Sequence, residues 1–385
     1  MRFKESARKC GLFVLSQWLL VALGLVILFA FLGPNLMKNG GWIAAQWTIQ
    51  YGAIAVIFLV SGLSMPLPLL LQHAKSVKLH IVVQGFCFLI TPTVFFAIVQ
   101  GIVRTRNDID FYVSLGLVMV GTTSTTISSN IIMTRISGGD DSATLVEVAL
   151  GNIAGIFISP ALMQLFTLPG SGLENGRPTG NVQEVYRRVM LHLGTSALAP
   201  LVIGQVIRYF IAKKLDPVML KYKVTKVGPF MLLLLVWSTF SNAFAESAFA
   251  DLSASSIILL VFLTLGLYAM FTVMCFLVCR PPGLAPLFDR RITAAVCFCG
   301  PAKSQAIGFP LIQTLYTGLP PQQRAIVSVP LVLYQVEQLA VAQGAVYFFT
   351  WWIARGKKVD AELGADDESP TTSRSSSTLP VEAAG

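Results

Sequence analysis

Charged side chains are scarce in this chain of 385 residues, where Asp, Glu, Lys and Arg together make up only 12%. A soluble globular protein carries about 25% charged residues. Hydrophobic residues instead reach 54%, and the mean hydropathy is +0.69. This composition excludes a soluble fold, and we expect the chain to lie in a lipid bilayer.

The sequence also lacks the patterns of metal centres, disulfide frameworks and enzymes. Its three histidines have no metal-ligand spacing, and its six cysteines lie in or beside apolar segments, where they serve as small packing residues. Because no catalytic triad, metal-binding set or phosphate-binding loop occurs, we expect neither enzymatic activity nor a cofactor. The net charge of +9 does not indicate nucleic-acid binding, because the basic residues cluster in alternate short loops.

Apolar segments long enough to span a bilayer recur along the chain, each of roughly 20 residues. The basic residues concentrate in the loops on one side of these segments, which favours cytoplasmic N- and C-termini and an even number of helices. We therefore predict an all-α integral membrane protein. Ten spans are predicted, at residues 11–32, 47–64, 79–103, 111–133, 143–168, 186–211, 228–245, 256–278, 292–316 and 325–352.

A glycine-rich loop at residues 169–185 divides the ten spans five and five. An odd number of helices in each half makes the halves inverted with respect to each other, as in many secondary transporters. We thus predict two inverted five-helix repeats, at residues 11–168 and 186–353, joined by a non-cytoplasmic loop. A cytoplasmic arm at 1–10 precedes them, and a Ser-, Thr-, Pro- and acid-rich tail at 354–385 should be disordered in the cytoplasm.

The fourth span of each half is interrupted and polar. The segment 292–316 is broken at Gly300-Pro301 and carries Lys303 just past the break, and the segment 111–133 has a hydroxyl-rich second half. Discontinuous helices in corresponding positions of two halves mark the binding sites of transporters, near the middle of the bilayer. The sequence therefore predicts a transporter with broken fourth and ninth helices.

The run Thr122–Asn130 holds seven hydroxyls and one amide within nine residues. Such side chains can bond back to their own helix carbonyls, which is common in membrane helices. The density of hydroxyls favours the other interpretation, a cavity lining for cations or polar substrates. The following turn, Gly138–Ser142, carries two acids that are suited to capping the fifth helix.

Lys303 lies near the centre of a predicted span, where a lysine costs about 2.5–3.5 kcal/mol on insertion scales. It could be a fixed cation that replaces a bound sodium ion, or a partner for a charged substrate; its central position argues against snorkelling to the surface. Glu147 and Glu337 are the other acids within predicted spans, and either could neutralise it. Glu147 could equally face the cytoplasm.

Four stretches carry a family resemblance: SSN at 128–130, GGDDSATLVEVALGN at 138–152, FCGPAKSQAIGFPL at 298–311 and SVPLVLYQVEQ at 328–338. They resemble the sodium/bile acid cotransporter family (solute carrier family 10), and specifically its member-seven branch, which includes fungal proteins regarded as regulators of calcium homeostasis. The resemblance implies a bile acid symporter-like fold with panel and core domains, and a site where the fourth and ninth helices cross. It also implies a plasma-membrane location and a link to negative regulation of calcium influx.

The residue patterns and this resemblance together predict a substrate or ion cavity. Its candidate residues are Thr125, Thr126, Ser128, Ser129, Asn130, Glu147, Asn152, Pro301, Lys303, Ser304, Gln305, Glu337 and Gln338.

One departure from the family concerns sodium. Sodium-coupled carriers have a glutamate and a glutamine flanking the ninth-helix break, but alignment on Ser304 puts Phe298 and Ala302 there, with Lys303 beside them. The candidates retained for sodium are Ser129, Asn130 and Asn152. Losing an anionic ligand and gaining a cation should weaken sodium binding. We therefore predict that the two-sodium mechanism is not used.

Two functions remain open at this point. The chain can be a secondary transporter of a small solute, with an anionic solute as one candidate, or a non-transporting regulator of a calcium channel or another influx pathway. The acidic, Ser/Thr-rich tail offers a contact for the second function. Deletion of Val359–Gly385 separates them, because a regulator acting through its tail should fail whereas a carrier should still move its solute.

Overall fold

The structure, a computed structural model, describes residues 18–367 apart from 67, 69, 70, 72, 74, 106–108, 179, 180 and 251, with side chains described as far as residue 356 except at 20 and 182. The predicted N-terminal arm, the start of the first predicted span and the tail after Asp367 lie outside the described residues.

The described part of the chain is built from α-helices, and no β-strand occurs in it. Its longer helices are α1 (Trp18–Leu32), α2 (Ala45–Ser64), α3 (Val77–Thr105), α4 (Phe111–Thr122), α5 (Ser128–Ile136), α6 (Asp141–Phe166), α7 (Gln183–Lys221), α8 (Val224–Ala245), α9 (Ala254–Cys279), α10 (Arg290–Cys299), α11 (Gln305–Leu315) and α12 (Pro321–Asp367). Helix α12 continues to Asp367, beyond the predicted end of the last span, through a stretch that contains the helix formers Ala361, Glu362 and Leu363.

Seven of the described helices are long and apolar enough to cross a membrane: α2, α3, α6, α7, α8, α9 and α12 as far as Gly356. The chain is therefore a multi-pass membrane protein. The apolar helix α4 is shorter, as is α1 within its described part. The prediction of ten spans requires α1 and the two interrupted segments to count as spans as well, and it stays a prediction.

Both predicted breaks are present as pairs of short helices. In the first, α4 ends at Thr122 and α5 begins at Ser128; in the second, α10 ends at Cys299 and α11 begins at Gln305. The two pairs begin alike, because the carboxylates of Asp110 and Asp289 accept hydrogen bonds from the first backbone N–H groups of α4 and α10. The carboxylate of Asp140 caps α6 in the same way, as predicted for that turn.

Close helix packing surrounds the two breaks. Helix α4 packs against α3 and α12, and α10 packs against α9 and α6. A Cβ atom added at Gly300 would lie 2.6 Å from the sulfur of Cys275, so the second break approaches α9 too closely for a larger residue. Polar residues such as Thr125 and Lys303 are buried at the centre, whereas apolar side chains of α9 such as Phe262 point outward. This distribution suits a protein surrounded by lipid.

Candidate functional site

The two breaks cross and hydrogen-bond to each other near the centre of the molecule. The backbone N–H of Ser304 donates to the carbonyl oxygen of Ser124 at 2.6 Å, and the hydroxyl of Thr125 donates to the carbonyl oxygen of Cys299 at 2.7 Å. Polar groups of the unwound segments, which would lack hydrogen-bond partners in lipid, thus form hydrogen bonds with each other. We call this region the crossing, meaning residues 122–130 and 299–305.

The hydroxyl groups of the run Thr122–Asn130 make two kinds of hydrogen bond. The hydroxyls of Thr122 and Thr123 bond back to carbonyls three residues earlier, the interpretation that the sequence disfavoured. Beyond them, the hydroxyl of Thr126 donates to the side-chain oxygen of Asn130, whose amide donates to Thr125, both within 2.8 Å. The hydroxyl of Ser129 joins this network through Thr126.

Asn152 on α6 supports the first break from the side. Its amide donates to the carbonyl oxygens of Thr125 at 3.0 Å and Val148 at 2.7 Å, and its side-chain oxygen accepts from the hydroxyl of Ser124 at 3.1 Å. The predicted residues Asn130 and Asn152 therefore both reach Thr125, from two different helices. Their side-chain oxygens, the groups that would ligate sodium, already accept hydrogen bonds from Thr126 and Ser124.

Lys303 is fully buried, with none of its surface exposed, and its ammonium group is surrounded by backbone carbonyls. The Nζ atom donates to the carbonyl oxygens of Cys87 at 2.8 Å, Gly121 at 2.8 Å and Thr123 at 3.1 Å. Gly121 and Thr123 lie at the C-terminal end of α4, where carbonyls lack partners within the helix and the helix dipole is negative. Cys87 lies in a π-helical turn of α3, Phe86–Ile90, a distortion that is frequent at functional sites.

The backbone around Lys303 is held by α12. Gln338 accepts from the N–H of Lys303 at 2.9 Å and donates to its carbonyl oxygen at 3.0 Å, and the hydroxyl of Tyr334 donates to the carbonyl oxygen of Pro301 at 2.7 Å. The predicted residues Pro301, Lys303 and Gln338 thus form one contact region between the second break and α12.

The proposed pairing of Lys303 with Glu147 or Glu337 is wrong. Glu147 is buried but hydrogen-bonds to His80 and Gln84 on α3, and Glu337 accepts from the hydroxyl of Thr264 on α9 at 2.6 Å. Several dipolar carbonyls at close range can stabilise an ammonium group without a carboxylate. Glu147 is also not exposed to solvent, which excludes the alternative that it simply faces the cytoplasm.

A small cavity of about 20 Å³ adjoins the crossing. Its polar lining comprises Thr126, Ser128, Ser129, Ser304, Gln305 and Gln335. Gln335 is fully buried, and neither its amide nitrogen nor its oxygen has a hydrogen-bond partner among the described residues; the side-chain oxygen of Gln305 is also unpartnered there. Such groups cost roughly 1–3 kcal/mol each when unsatisfied. The inner end of the cavity is therefore polar and offers one donor and two acceptors.

The sequence alone did not single out Gln335. It lies within the stretch SVPLVLYQVEQ, where Glu337 and Gln338 were the predicted site residues. The spacing could have indicated Gln335, because Gln335 and Gln338 are three residues apart and therefore share one face of α12.

A larger cleft of about 720 Å³ lies beside the small cavity and shares Ile57, Ile127 and Ser128 with it. Four basic and two acidic residues line the cleft: Arg135, Arg208, Lys223, Lys226, Asp141 and Asp216. Both acids are engaged by arginines, Asp141 by Arg135 at 2.7 Å and Asp216 by Arg208 at 2.9 Å. The remaining lysines give the cleft a net positive charge.

A third pocket, of about 160 Å³, lies at the other end of α8. Its lining includes Asn39, Asn242 and Arg324, and also Thr239, whose hydroxyl accepts a hydrogen bond from Gln305 at 3.1 Å. Lys226 in the large cleft and Asn242 in this pocket are separated by sixteen residues of helix, roughly 24 Å at 1.5 Å per residue. Pockets therefore lie towards both ends of α8, one beside the small cavity and one linked to the crossing through Thr239 and Gln305.

Comparison with known proteins gives concordant matches. The sequence model of the SBF-like CPA transporter family matches residues 17–351. The protein named Solute carrier RCH1 of Candida albicans is 38% identical over 92% of this chain and 94% of its own length, and that of Saccharomyces cerevisiae is 36% identical over 90% and 87%. Sodium/bile acid cotransporter 7 of Rattus norvegicus is 28% identical over 93% of this chain and 98% of its own length. These names denote carriers and not enzymes, as expected.

Proposed function

Because the chain belongs to the SBF-like CPA transporter family, a family of membrane transporters, we propose that it moves a small solute through the crossing without the two-sodium mechanism. The observation that carries this proposal is the small cavity at the crossing, whose lining includes the buried amide of Gln335 with no partner among the described residues. Larger pockets lie towards both ends of the neighbouring helix α8. A carrier needs a polar site that can be reached from either side in turn.

We propose the ten-span architecture, with two inverted five-helix repeats and cytoplasmic termini, as the frame of this site. It is supported by the matching pairs α4–α5 and α10–α11, each begun by an aspartate cap and each broken at the crossing. The charge asymmetry of the loops supports the orientation. With that orientation the large cleft opens to the cytoplasm and the pocket at Asn242 to the outside.

In this account Lys303 takes the place of a coupling cation. Its ammonium group lies among three carbonyl oxygens, a ligand type that also suits sodium. A sodium ion sharing these carbonyls would lie next to a positive charge in a medium of low dielectric constant, so the two cations exclude each other there. The residues at this position do not fit a sodium ion, and the lysine would hold the two breaks together permanently.

The substrate that we propose is a small anion with hydrogen-bonding groups. The positive charge of the large cleft favours anions, and the amides of Gln305 and Gln335 offer a donor and acceptors at the inner end. The small cavity holds little more than one water-sized group as it stands, so the body of the solute would lie in the large cleft.

The cellular role that we propose is a lowering of calcium entry across the plasma membrane, on the basis of the sequence resemblance to the fungal branch. The alternative, a non-transporting regulator of an influx pathway, predicts that the cavity is dispensable and the tail is not. Two variants separate these functions: Gln335→Met, which changes the cavity, and the deletion of residues 359–385, which removes the tail.

Gln335→Met is expected to abolish most of the effect of the protein on calcium uptake while leaving its melting temperature unchanged or slightly raised. The substitution keeps the volume of the side chain and removes buried polar atoms that have no partner in the described structure. The measurement is uptake of radioactive calcium in Saccharomyces cerevisiae cells that lack their own Solute carrier RCH1 and express each variant at equal level.

The matched control is Gln164→Met, because Gln164 also has an unpartnered amide nitrogen but lies on α6 away from the cavity lining. It should retain the wild-type effect. If Gln335→Met retains the effect and deletion of residues 359–385 removes it, the protein acts as a regulator through its tail. If the wild type does not lower calcium uptake at all, the proposed cellular role is wrong.

A further inference from the structure

Two arginines flank one tryptophan where α9 ends and α10 begins. The guanidinium carbon of Arg280 and that of Arg290 each lie 5.1 Å from the ring centroid of Trp352 on α12. Arg290 also donates from Nη1 to the carbonyl oxygen of Trp352 at 2.7 Å. A third guanidinium, that of Arg355, lies 5.5 Å from the ring of the neighbouring Trp351.

The cluster keeps a net positive charge within the described part of the protein, where none of the three arginines forms an ion pair with a carboxylate within 4.0 Å. The carboxylate of Asp289 is near enough to Arg280 to offset part of this charge, and one of its oxygens caps α10 by accepting from the N–H of Ile292. The Nε atom of Arg280 is buried and has no hydrogen-bond partner among the described residues. Burial, and then the positive charge of Arg290, lowers the pKa of Arg280.

An apolar, outward-facing surface continues directly from this cluster along α9 and α12. Leu277 on α9 is 47% exposed, and Phe348 and Trp351 on α12 are 45% and 55% exposed. Because both helices are long and apolar enough to span, these side chains face lipid tails. Tryptophan is enriched at the boundary between tails and headgroups, so the arginines lie at the level of the headgroups.

We propose that Arg280, Arg290 and Arg355 bind the phosphate group of an anionic phospholipid, whose acyl chains lie against Leu277, Phe348 and Trp351. The guanidinium group matches phosphate oxygens in a bidentate geometry, and basic pockets between helix ends are where such headgroups bind. A soluble phosphate would use the charge but not the adjacent apolar surface. The choice of the cytoplasmic leaflet rests on the proposed orientation, whereas the binding itself does not.

The test is the melting temperature of the full-length protein in a neutral detergent, with added phosphatidylinositol 4-phosphate, phosphatidylcholine or inorganic phosphate. Wild type should be stabilised by the anionic lipid and not by the other two. Arg280→Gln combined with Arg355→Gln should raise the lipid concentration needed for half of the stabilisation about 30-fold, since each of the two basic residues near the headgroups contributes on the order of 1 kcal/mol. Arg290 is left in place because it also bonds to the backbone of α12.

The matched control is Lys213→Gln combined with Lys214→Gln, which removes two exposed positive charges from α7 and should leave the lipid response unchanged. If the lipid stabilises the control as weakly as it stabilises the arginine variant, the response depends only on net charge and the three arginines do not form a specific site. Equal stabilisation of wild type by inorganic phosphate would contradict a lipid site and indicate a soluble anion. If the double variant does not fold, Arg280→Lys is used instead. Lysine keeps the positive charge but cannot donate two parallel hydrogen bonds to a phosphate as a guanidinium group can. An unchanged lipid response of Arg280→Lys would overturn the assignment of Arg280.

Discussion

Lys303→Met is expected to destabilise the protein by about 3–5 kcal/mol, because three buried carbonyl oxygens lose their donor at roughly 1–3 kcal/mol each, while the cost of burying the ammonium group is removed. Methionine keeps the length of the side chain, so packing changes little. The carbonyl oxygens of Cys87, Gly121 and Thr123 nevertheless lose their common donor in the interior. In a large domain, each kcal/mol lost from the free energy of unfolding lowers the melting temperature by roughly 2–4 °C, so the melting temperature should fall by about 10 °C.

The control for this substitution is Lys213→Met, an exposed lysine on α7 that should tolerate the change. A melting temperature of Lys303→Met as high as that of the control would show that the ammonium group does not hold the two breaks together. The same measurement on Lys303→Arg is informative about geometry, because the larger planar guanidinium does not fit among three carbonyls arranged around a compact ammonium group.

Gly116→Ala is expected to be the second most damaging change, at about 2 kcal/mol or more. A Cβ atom at Gly116 would lie 2.4 Å from the carbonyl oxygen of Val327 and 2.8 Å from the Cγ atom of Pro330, so α4 and α12 would have to separate. Overpacking of this kind typically costs 1–3 kcal/mol. The shift would also move the C-terminal carbonyls of α4 that contact Lys303.

Gly266→Ala makes the same chemical change on α9, where an added Cβ would meet nothing within 4 Å. Alanine is the better helix former, so this control should be neutral or stabilising by up to about 1 kcal/mol. Thermal unfolding of the two variants in one detergent gives the comparison. Equal melting temperatures would mean that the close contact between α4 and α12 is not maintained in the protein.

The breaks could be predicted from the sequence because their signals are local. Gly300-Pro301 interrupts an apolar run, and the hydroxyls after Gly121 interrupt another. The partners of Lys303 could not be predicted, because any residue supplies a backbone carbonyl and none leaves a signature in the sequence. The sequence pointed instead to the carboxylates of Glu147 and Glu337 as partners of Lys303, and that prediction was wrong.

Rotation of helices about their axes accounts for the other differences at the site. Glu337 and Gln338 are neighbours in the chain, yet Glu337 contacts α9 while Gln338 contacts Lys303. Glu147 lies in a stretch that also supplies Asn152, but it turns to His80 and Gln84 on α3. Residue type indicated which segments matter, and only the packing of α3, α6 and α12 decides which side chains reach the crossing.

The central claim, that Lys303 is a built-in cation, is tested most directly by the thermal stability of the wild type and of Lys303→Ala in sodium chloride and in potassium chloride at equal ionic strength. A ligand that binds only the folded state raises stability by mass action, so no substrate needs to be known. We expect the wild type to melt at the same temperature in both salts, and Lys303→Ala to melt lower but to gain stability in sodium. Selective stabilisation of the wild type by sodium would contradict the claim, because a sodium site would then exist beside the lysine.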